Sequence, residues 1–480
     1  MTNKIKPDKY QNKVIKSKAK NILVIAGAGS GKTQTIVMKI RKLINERINP
    51  EEILCISFTR ESSQNLEKKL KTIGVSVKTF HSLGYEIISK YRTVKIVTNE
   101  LDKIIDKEIQ KNKNNNKILN LNFKRIGSND NVFNILENNI IINSKYKNQL
   151  ALTIQNFINL FKSSNMQKED YKLFYRINEK NNIYEEKKRH KYFLKLTQKV
   201  LKKYEKFLKK NNYIDYNDMI NEATKIVEKK FTGKYKYIIV DEYQDISLNK
   251  VKLIKEIQNK TDAKLIALGD DWQSIYTFTG SNLEVFTKFK KIFKHSKIIK
   301  LKYTYRNSKE LTKVAGKFIS KNPFQITKKI KTSKTNKYPI HIYYYNKSIE
   351  EVWEKIREEV KNTETLILSR NNRDINLLPK LDKNMKFLTM HKSKGLESDN
   401  TIIINLEDSY RSIPSKIKEN EFLNYVKPQT DKFKYAEERR LFYVALTRCK
   451  NNNYLIVKKD NPSVFVKELL KDSRRYIDVK

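Results

Sequence analysis

Residues Asn21–Thr33 read NILVIAGAGSGKT, an apolar run from Ile22 to Ala26 that leads into a glycine-rich loop ending in Lys32 and Thr33. From Gly27 through Ala28, Gly29, Ser30 and Gly31 to Lys32 and Thr33 the spacing is G-x-x-x-x-G-K-[ST]. Small residues there let backbone N–H groups curl around phosphate oxygens at a helix N-terminus. Lys32 is placed to hold β- and γ-phosphates, and the Thr33 hydroxyl to hold Mg²⁺. An ordinary glycine-rich strand–turn–helix corner is the competing reading, and the complete pattern in this context favours the phosphate loop. The fold expected around it is α/β, with ligands bound at the C-terminal ends of parallel strands.

A second strand pattern, Tyr235–Val240 (YKYIIV), runs into Asp241-Glu242-Tyr243-Gln244-Asp245. Two adjacent carboxylates ending a hydrophobic strand suit a nucleotide-hydrolysing site: Asp241 can hold Mg²⁺ through water, and Glu242 can orient and deprotonate the attacking water. The next strand, Lys264–Leu268, ends in Gly269-Asp270-Asp271-Trp272-Gln273-Ser274-Ile275-Tyr276. Gln273 is a candidate γ-phosphate sensor. Tyr276 and Phe278 are candidate base-stacking platforms, the alternative being aromatics of a packed loop.

Lys and Arg number 100 against 53 Asp and Glu, a net charge of +47 that attracts a polyanion such as nucleic acid. Part of this excess fits a chain rich in Lys, Asn and Ile together, as AT-rich coding DNA produces. No apolar run approaches the roughly 18 residues of a membrane span, and no hydrophobic signal segment opens the chain, so an intracellular, cytoplasmic protein is expected. Cys55 and Cys449 stand far apart without metal-ligand spacing, so neither a disulfide framework nor a zinc site is expected.

Upstream of the loop, Gln11 lies on a short amphipathic helix, and its amide can donate and accept at an adenine edge. Ile53–Phe58 and the stretch Val77-Lys78-Thr79-Phe80-His81-Ser82 read as further strand segments whose ends carry Phe58, Thr79, Phe80 and His81. From about Asn99 to Asn212 strand signals fade and Lys/Asn-rich helical patterns take over, including the loop-like tract KNKNNNK at Lys111–Lys117. This is read as a helical insertion. Asp215 and Asp218 then open a further helix. The second half repeats the α/β texture, with strands expected at Ile340–Tyr345, Thr365–Ser369, Lys386–Met390, Thr401–Leu406 and Tyr454–Val457. The expected domains are therefore 1–98 with 213–294, the insertion 99–212, and a second sheet domain 295–480. Arg306 and Arg448, on polar clusters of that second domain, are candidates to neutralise a transferring γ-phosphoryl group.

Taken in order, GAGSGKT, TFHSLG, VDEYQDIS, GDDWQSIY, YTYRN, TMHKSKGLE and EERRLFYVALTR resemble the motifs of superfamily 1 helicases of the UvrD/Rep type. GDDWQSIY, FTGSN and AEERRLFYVALTR look most like the DNA helicase IV branch. The resemblance covers nearly the whole chain. It implies two RecA-like domains with ATP in the cleft between them and a single strand of DNA across their top. By motif, Gln11 would read adenine, Tyr305 would stack on it, and Glu397 would contact the ribose. Lys32, Thr33, Asp241, Glu242, Gln273, Arg306 and Arg448 would form the phosphate and Mg²⁺ machinery. Phe58, Thr79, His81, Tyr276, Phe278, Thr389 and His391 would line the strand.

The implied activity is an ATP-dependent DNA helicase or translocase moving 3′ to 5′ in replication, repair or recombination. Single-stranded or tailed duplex DNA would be its substrate, with a nuclease or repair/replication protein as a possible partner. The alternatives are a partner-dependent ATP switch and a translocase that does not unwind. Several features depart from the pattern. Phe278-Thr279 stands where many relatives carry Trp-Arg, and Trp272 replaces a common Asp. Only about 18 residues separate Arg370 from Thr389, too few for the regulatory domain that larger relatives insert there. Neither an N-terminal extension before Gln11 nor a nuclease or partner-binding module after Lys450 is expected.

Overall fold

The computed structural model describes residues 6–111, 144–417, 420–428 and 433–480. The expected loop at Lys111–Lys117 falls, beyond Lys111, outside the described residues. In chain order the strands are β1 (Asn21–Ile25), β2 (Ile53–Ser57), β3 (Val77–Thr79), β4 (Lys95–Ile96), β5 (Tyr213–Ile214), β6 (Tyr237–Val240) and β7 (Lys264–Gly269). They continue with β8 (Ser296–Lys300), β9 (Ile340–Tyr345), β10 (Thr365–Ser369), β11 (Met385–Thr389), β12 (Asn400–Ile403), β13 (Asn453–Lys458) and β14 (Ile477–Val479).

Two six-stranded sheets are built from them, in the orders β3-β2-β6-β7-β1-β8 and β11-β10-β12-β13-β9-β14. All their pairings are parallel. A parallel sheet must be covered on both faces, so its central strands read as continuous apolar runs. β1 shows how: Leu23 and Ile25 enter one core and Ile22 and Val24 the other. The α/β expectation with two parallel sheets holds.

One boundary needs correction. The sequence places the start of the second domain near His295, but Ser296–Lys300 pairs with β1 from Asn21↔Ser296 to Ile25↔Lys300 and completes the first sheet. As an edge strand it buries Ile299 and leaves Ile298 exposed, so its sequence carries too little apolar signal to be read as a strand.

Between β4 and β5, which pair in parallel, stand the helices Glu100–Lys111, Ser144–Ser163, Asp170–Glu179 and Tyr184–Lys210. Their shared core is closed by Phe422, Leu423 and Val426 from the second half of the chain. Phe422 stacks on Phe193 with ring centroids 4.1 Å apart. The helix Tyr216–Lys230 begins as expected, with the Asp215 side chain accepting from the Asp218 N–H. Between Ser369 and Met385 the chain makes one short helical turn, Asn372–Leu377. No helix among the described residues is long and apolar enough to cross a membrane.

Candidate functional site

The loop after β1 delivers the chain into the helix Lys32–Asn45, with Gly31 as its N-cap at φ +75°. Gly29 is also left-handed, at φ +67°, and a Cβ there would lie 2.5 Å from Arg306 Cβ and 2.7 Å from Thr304 Oγ1. Glycine is needed at Gly29 on both counts, backbone angle and close approach. The chain leaving β8 uses that space: Thr304 Oγ1 donates to the Ala28 carbonyl at 2.8 Å, and the Tyr305 N–H donates to Gly29 O at 2.9 Å. Ala28 packs with Trp272 and Tyr443 beneath the loop.

In front of the loop lies a cavity of about 430 Å³, lined by Gly27, Gly29, Ser30, Gly31, Lys32, Thr33, Asp241, Glu242, Gln273, Tyr305, Arg306, Glu397 and Arg448 among others. Of the candidate ATP-site residues, only Gln11 and Ala28 stand outside this lining. The Ser30 hydroxyl is buried with no hydrogen-bond partner among the described residues. A glycine-rich cradle with an orphaned donor and convergent cations fits a polyphosphate.

Asp241 and Glu242 close β6. Glu242 adopts φ +52°, a strained backbone for a non-glycine residue, and Asp241 Oδ1 accepts its N–H at 2.9 Å. Lys32 Nζ lies 2.8 Å from Glu242 Oε1. Burial pushes the Glu242 carboxyl up, but Lys32 and Lys394 together outweigh it and hold it down at about 2. Burial and the neighbouring Glu242 push Asp241 up to about 6. No group of three His, Cys, Asp or Glu side chains suited to a metal occurs among the described residues. Mg²⁺ in such a site keeps most of its coordination from water and substrate phosphates, so Thr33 and Asp241 could suffice.

The two arginines reach this cavity from opposite ends of the second half of the chain. Arg306 donates through Nε to Glu397 at 2.9 Å and through Nη1 to the Thr447 carbonyl at 3.2 Å. Arg448 donates to Gln273 Oε1 at 3.0 Å. Burial, then the charge of Arg306, lowers the Arg448 guanidinium to about 9, so it remains a cation at neutral pH. Gln273 passes the contact on, donating from Nε2 to Asp270 Oδ2 at 2.6 Å.

Behind Gln273 lies a cluster that sequence reading did not single out. Lys328 bridges the buried Asp270 and Asp271 and sits 4.5 Å from the Trp272 ring centroid. Lys394, within a motif already noted but not chosen, pairs with Asp245, donates to the Gln273 carbonyl at 2.7 Å and lies over the Tyr276 ring. In so basic a chain a lysine reads as solvated surface; only long-range packing reveals these two.

On the nucleotide-base side, Tyr305 is half exposed and its hydroxyl donates to Asp8 Oδ2 at 2.7 Å. Gln11 is buried and its Oε1 accepts the Asp8 N–H at 3.0 Å, part of a helix-capping box. Its Nε2 faces the loop, 2.9 Å from where a Gly31 Cβ would stand.

A run of rings leaves this site across both sheets. Phe58 stacks on Tyr276 at 5.6 Å and 19°, Tyr276 meets Phe278 at 6.0 Å, and Phe278 meets His391 at 5.8 Å. His81 packs instead edge-on to Tyr216, itself exposed and not anticipated from sequence. Burial with Lys250 and Arg60 pushes His81 down to about 4, and burial with Arg370 and Lys394 does the same to His391. Both present neutral rings. Thr79 spends its hydroxyl on capping the helix Phe80–Ser89, and Thr389 is buried at the end of β11, where its hydroxyl accepts the Lys392 N–H.

With this geometry in place, the comparisons with known proteins converge. Residues 8–294 match the UvrD/REP helicase N-terminal domain, and residues 378–460 the UvrD-like helicase C-terminal domain. DNA helicase IV of Escherichia coli (strain K12) is 29% identical over 476 residues, covering 94% of this chain and 68% of that protein. ATP-dependent DNA helicase Rep of Buchnera aphidicola subsp. Schizaphis graminum is 30% identical, covering 82% of this chain and 58% of its own length. ATP-dependent DNA helicase PcrA of Staphylococcus aureus is 26% identical, with 73% and 45% covered. The chain thus spans roughly half to two thirds of the relatives it matches. A phosphate loop, an acidic pair and two arginines converging on one cavity, together with a family match over more than half its residues, place this chain in the UvrD/Rep helicase family.

Proposed function

We propose that this chain is an ATP-dependent DNA motor that moves 3′ to 5′ along a single strand. The observation that carries the reading is the shared cavity: Lys32 and Glu242 of the first sheet face Arg306 and Arg448 of the second half across about 430 Å³. Closing such a cleft places cations on both sides of a transferring phosphoryl group, where an added arginine contributes about 10³–10⁵ in rate.

Lys32, Arg306 and Arg448 hold and orient the triphosphate, while Thr33 and Asp241 would hold Mg²⁺, which would supply charge neutralisation for the phosphate groups. Glu242, held ionised by its cationic neighbours, accepts a proton from the attacking water once Lys32 turns from it to phosphate. Gln11, Tyr305 and Glu397 are assigned to the nucleoside.

Gln273 and Lys394 connect chemistry to movement. Gln273 touches Arg448, and its carbonyl is held by Lys394, which lies over Tyr276 in the aromatic run. A shift of the arginine therefore reaches the rings through two contacts. Phe58, Tyr276 and Phe278, with neutral His81 and His391, offer faces on which bases stack, each worth about 1–3 kcal/mol and tolerant of sequence. A role in repair or replication, alongside a nuclease or other partner, belongs to this proposal.

A second reading, translocation without autonomous strand separation, rests on the single short turn between β10 and β11. Steady-state ATP hydrolysis with and without a single-stranded oligonucleotide tests the motor, with Glu242→Gln as control. Stimulation by DNA that disappears in the variant is expected. Hydrolysis that ignores DNA would sink the reading. Displacement of streptavidin from 3′- against 5′-biotinylated oligonucleotides tests polarity, and a tailed duplex separates the two readings.

A further inference from the structure

Resting on the DNA-groove reading above, we infer that the Lys250 ammonium is a phosphodiester-binding cation of that groove, seated beside the Phe58 platform. Lys250 lies in the first turn of the helix Leu248–Thr261, just past the acidic segment Asp241–Asp245. Its Nζ lies 4.7 Å from the centroid of Phe58 and 5.7 Å from that of Phe80. Phe58 in turn stacks on Tyr276.

What sets this lysine apart is its company. Lys32, Lys328 and Lys394 each face a carboxylate within ion-pair distance. Lys250 has no such carboxylate and no hydrogen-bond acceptor among the described residues. Lys250 is half-buried; two aromatic faces attract a cation weakly, and they do not replace the water that this partial burial has removed. The proton affinity reports the deficit: burial, only partly offset by Asp245, pushes the ammonium down to about 8. An anion arriving at the rings would supply the missing counter-charge.

A single strand brings that anion in the right order. A base packed beside Phe58 carries its phosphate within reach of an ammonium held over that ring. His81, next to Phe80 and under the influence of the same ammonium, is neutral and cannot take this role.

Anisotropy of a labelled oligothymidine, titrated with the full chain across a series of salt concentrations, tests the assignment. Each neutralised single-strand phosphate contributes about 0.7 to the slope of log affinity against log salt. Lys250→Met should lower that slope by about this amount, and Lys250→Arg should retain it. Lys250→Met should also melt at or above the wild-type temperature, because a desolvated ammonium has been removed. An unchanged slope in Lys250→Met overturns the assignment. So does a lowered melting temperature with no recovery of slope in Lys250→Arg, the pattern of a packing role. If the unaltered chain binds no oligothymidine at any salt, the groove reading fails and this assignment with it, an outcome distinct from both.

Discussion

Arg448 donates a hydrogen bond of 3.0 Å to Gln273 Oε1, joining the two halves of the chain at a point where both residues are buried. The pair is positioned from behind by Asp270, which accepts from Gln273, and from within its own helix by the Val444 carbonyl, which accepts Arg448 Nε at 3.0 Å. Arg448→Ala should lower the DNA-stimulated hydrolysis rate by about 10³-fold or more with a small change in KM. Because the two side chains act as a unit, Gln273→Ala combined with it should cost much less than the product of the single effects. A double-mutant kinetic cycle measures this, and full additivity would contradict the coupling.

Lys328 is the keystone under Gln273. It is buried between Asp270 and Asp271, and its removal leaves two carboxylates facing each other without a cation. Breaking a buried ion pair by deleting one partner costs about 3–5 kcal/mol. Lys328→Met should therefore shift the urea midpoint down strongly, and Lys328→Met with Asp270→Asn should recover part of the loss.

Phe422 clips the second half of the chain onto the helical insertion. It is buried against Phe193, and its neighbour Glu421 pairs with Arg189. Phe422→Ala should cost about 3–5 kcal/mol. Limited proteolysis around residues 413–436 should then become faster, whereas an unchanged cleavage pattern would show that the clip is dispensable.

Acid should loosen the same contact. His190 Nδ1 lies 2.9 Å from the Tyr425 hydroxyl, and burial, then Arg189, pushes its pKa down to about 4, with Glu186 opposing. Its Nε2 also faces Glu421 at 3.6 Å. The unfolded chain takes up a proton near about 6.5, well before the folded chain does. Stability from this group is therefore complete above that value and is lost as pH falls toward about 4. His81 and His391 act with the same sign. Melting temperatures should fall between pH 7 and pH 5, and His190→Phe should make the fall shallower.

Gly29→Ala should close the site. At φ +67° a side chain is strained by about 1–2 kcal/mol, and its Cβ would meet Arg306 Cβ at 2.5 Å. ATP affinity measured by calorimetry should collapse, while the secondary structure seen by circular dichroism should persist.

The phosphate loop and the Asp241-Glu242 pair were legible in the sequence because their chemistry is local: strand, turn and functional side chain are contiguous, and hydrophobic runs mark strands buried on both faces. The same holds for β9 and β10, which stand where the apolar runs predict them. The family motifs likewise named Arg306, Arg448 and Gln273 without any coordinates. What tertiary structure alone decided is which distant groups meet. Ser296–Lys300 becomes the edge of the first sheet because β1, far earlier in the chain, offers it a free row of backbone groups. Lys250, Lys328 and Lys394 are three of many lysines in the sequence, and they differ only by what surrounds them. The first has rings and, among the described residues, no carboxylate within ion-pair distance, the second has two buried aspartates, and the third has Asp245 and a carbonyl. Burial and counter-charge are properties of the folded neighbourhood, and a linear pattern of charges does not contain them.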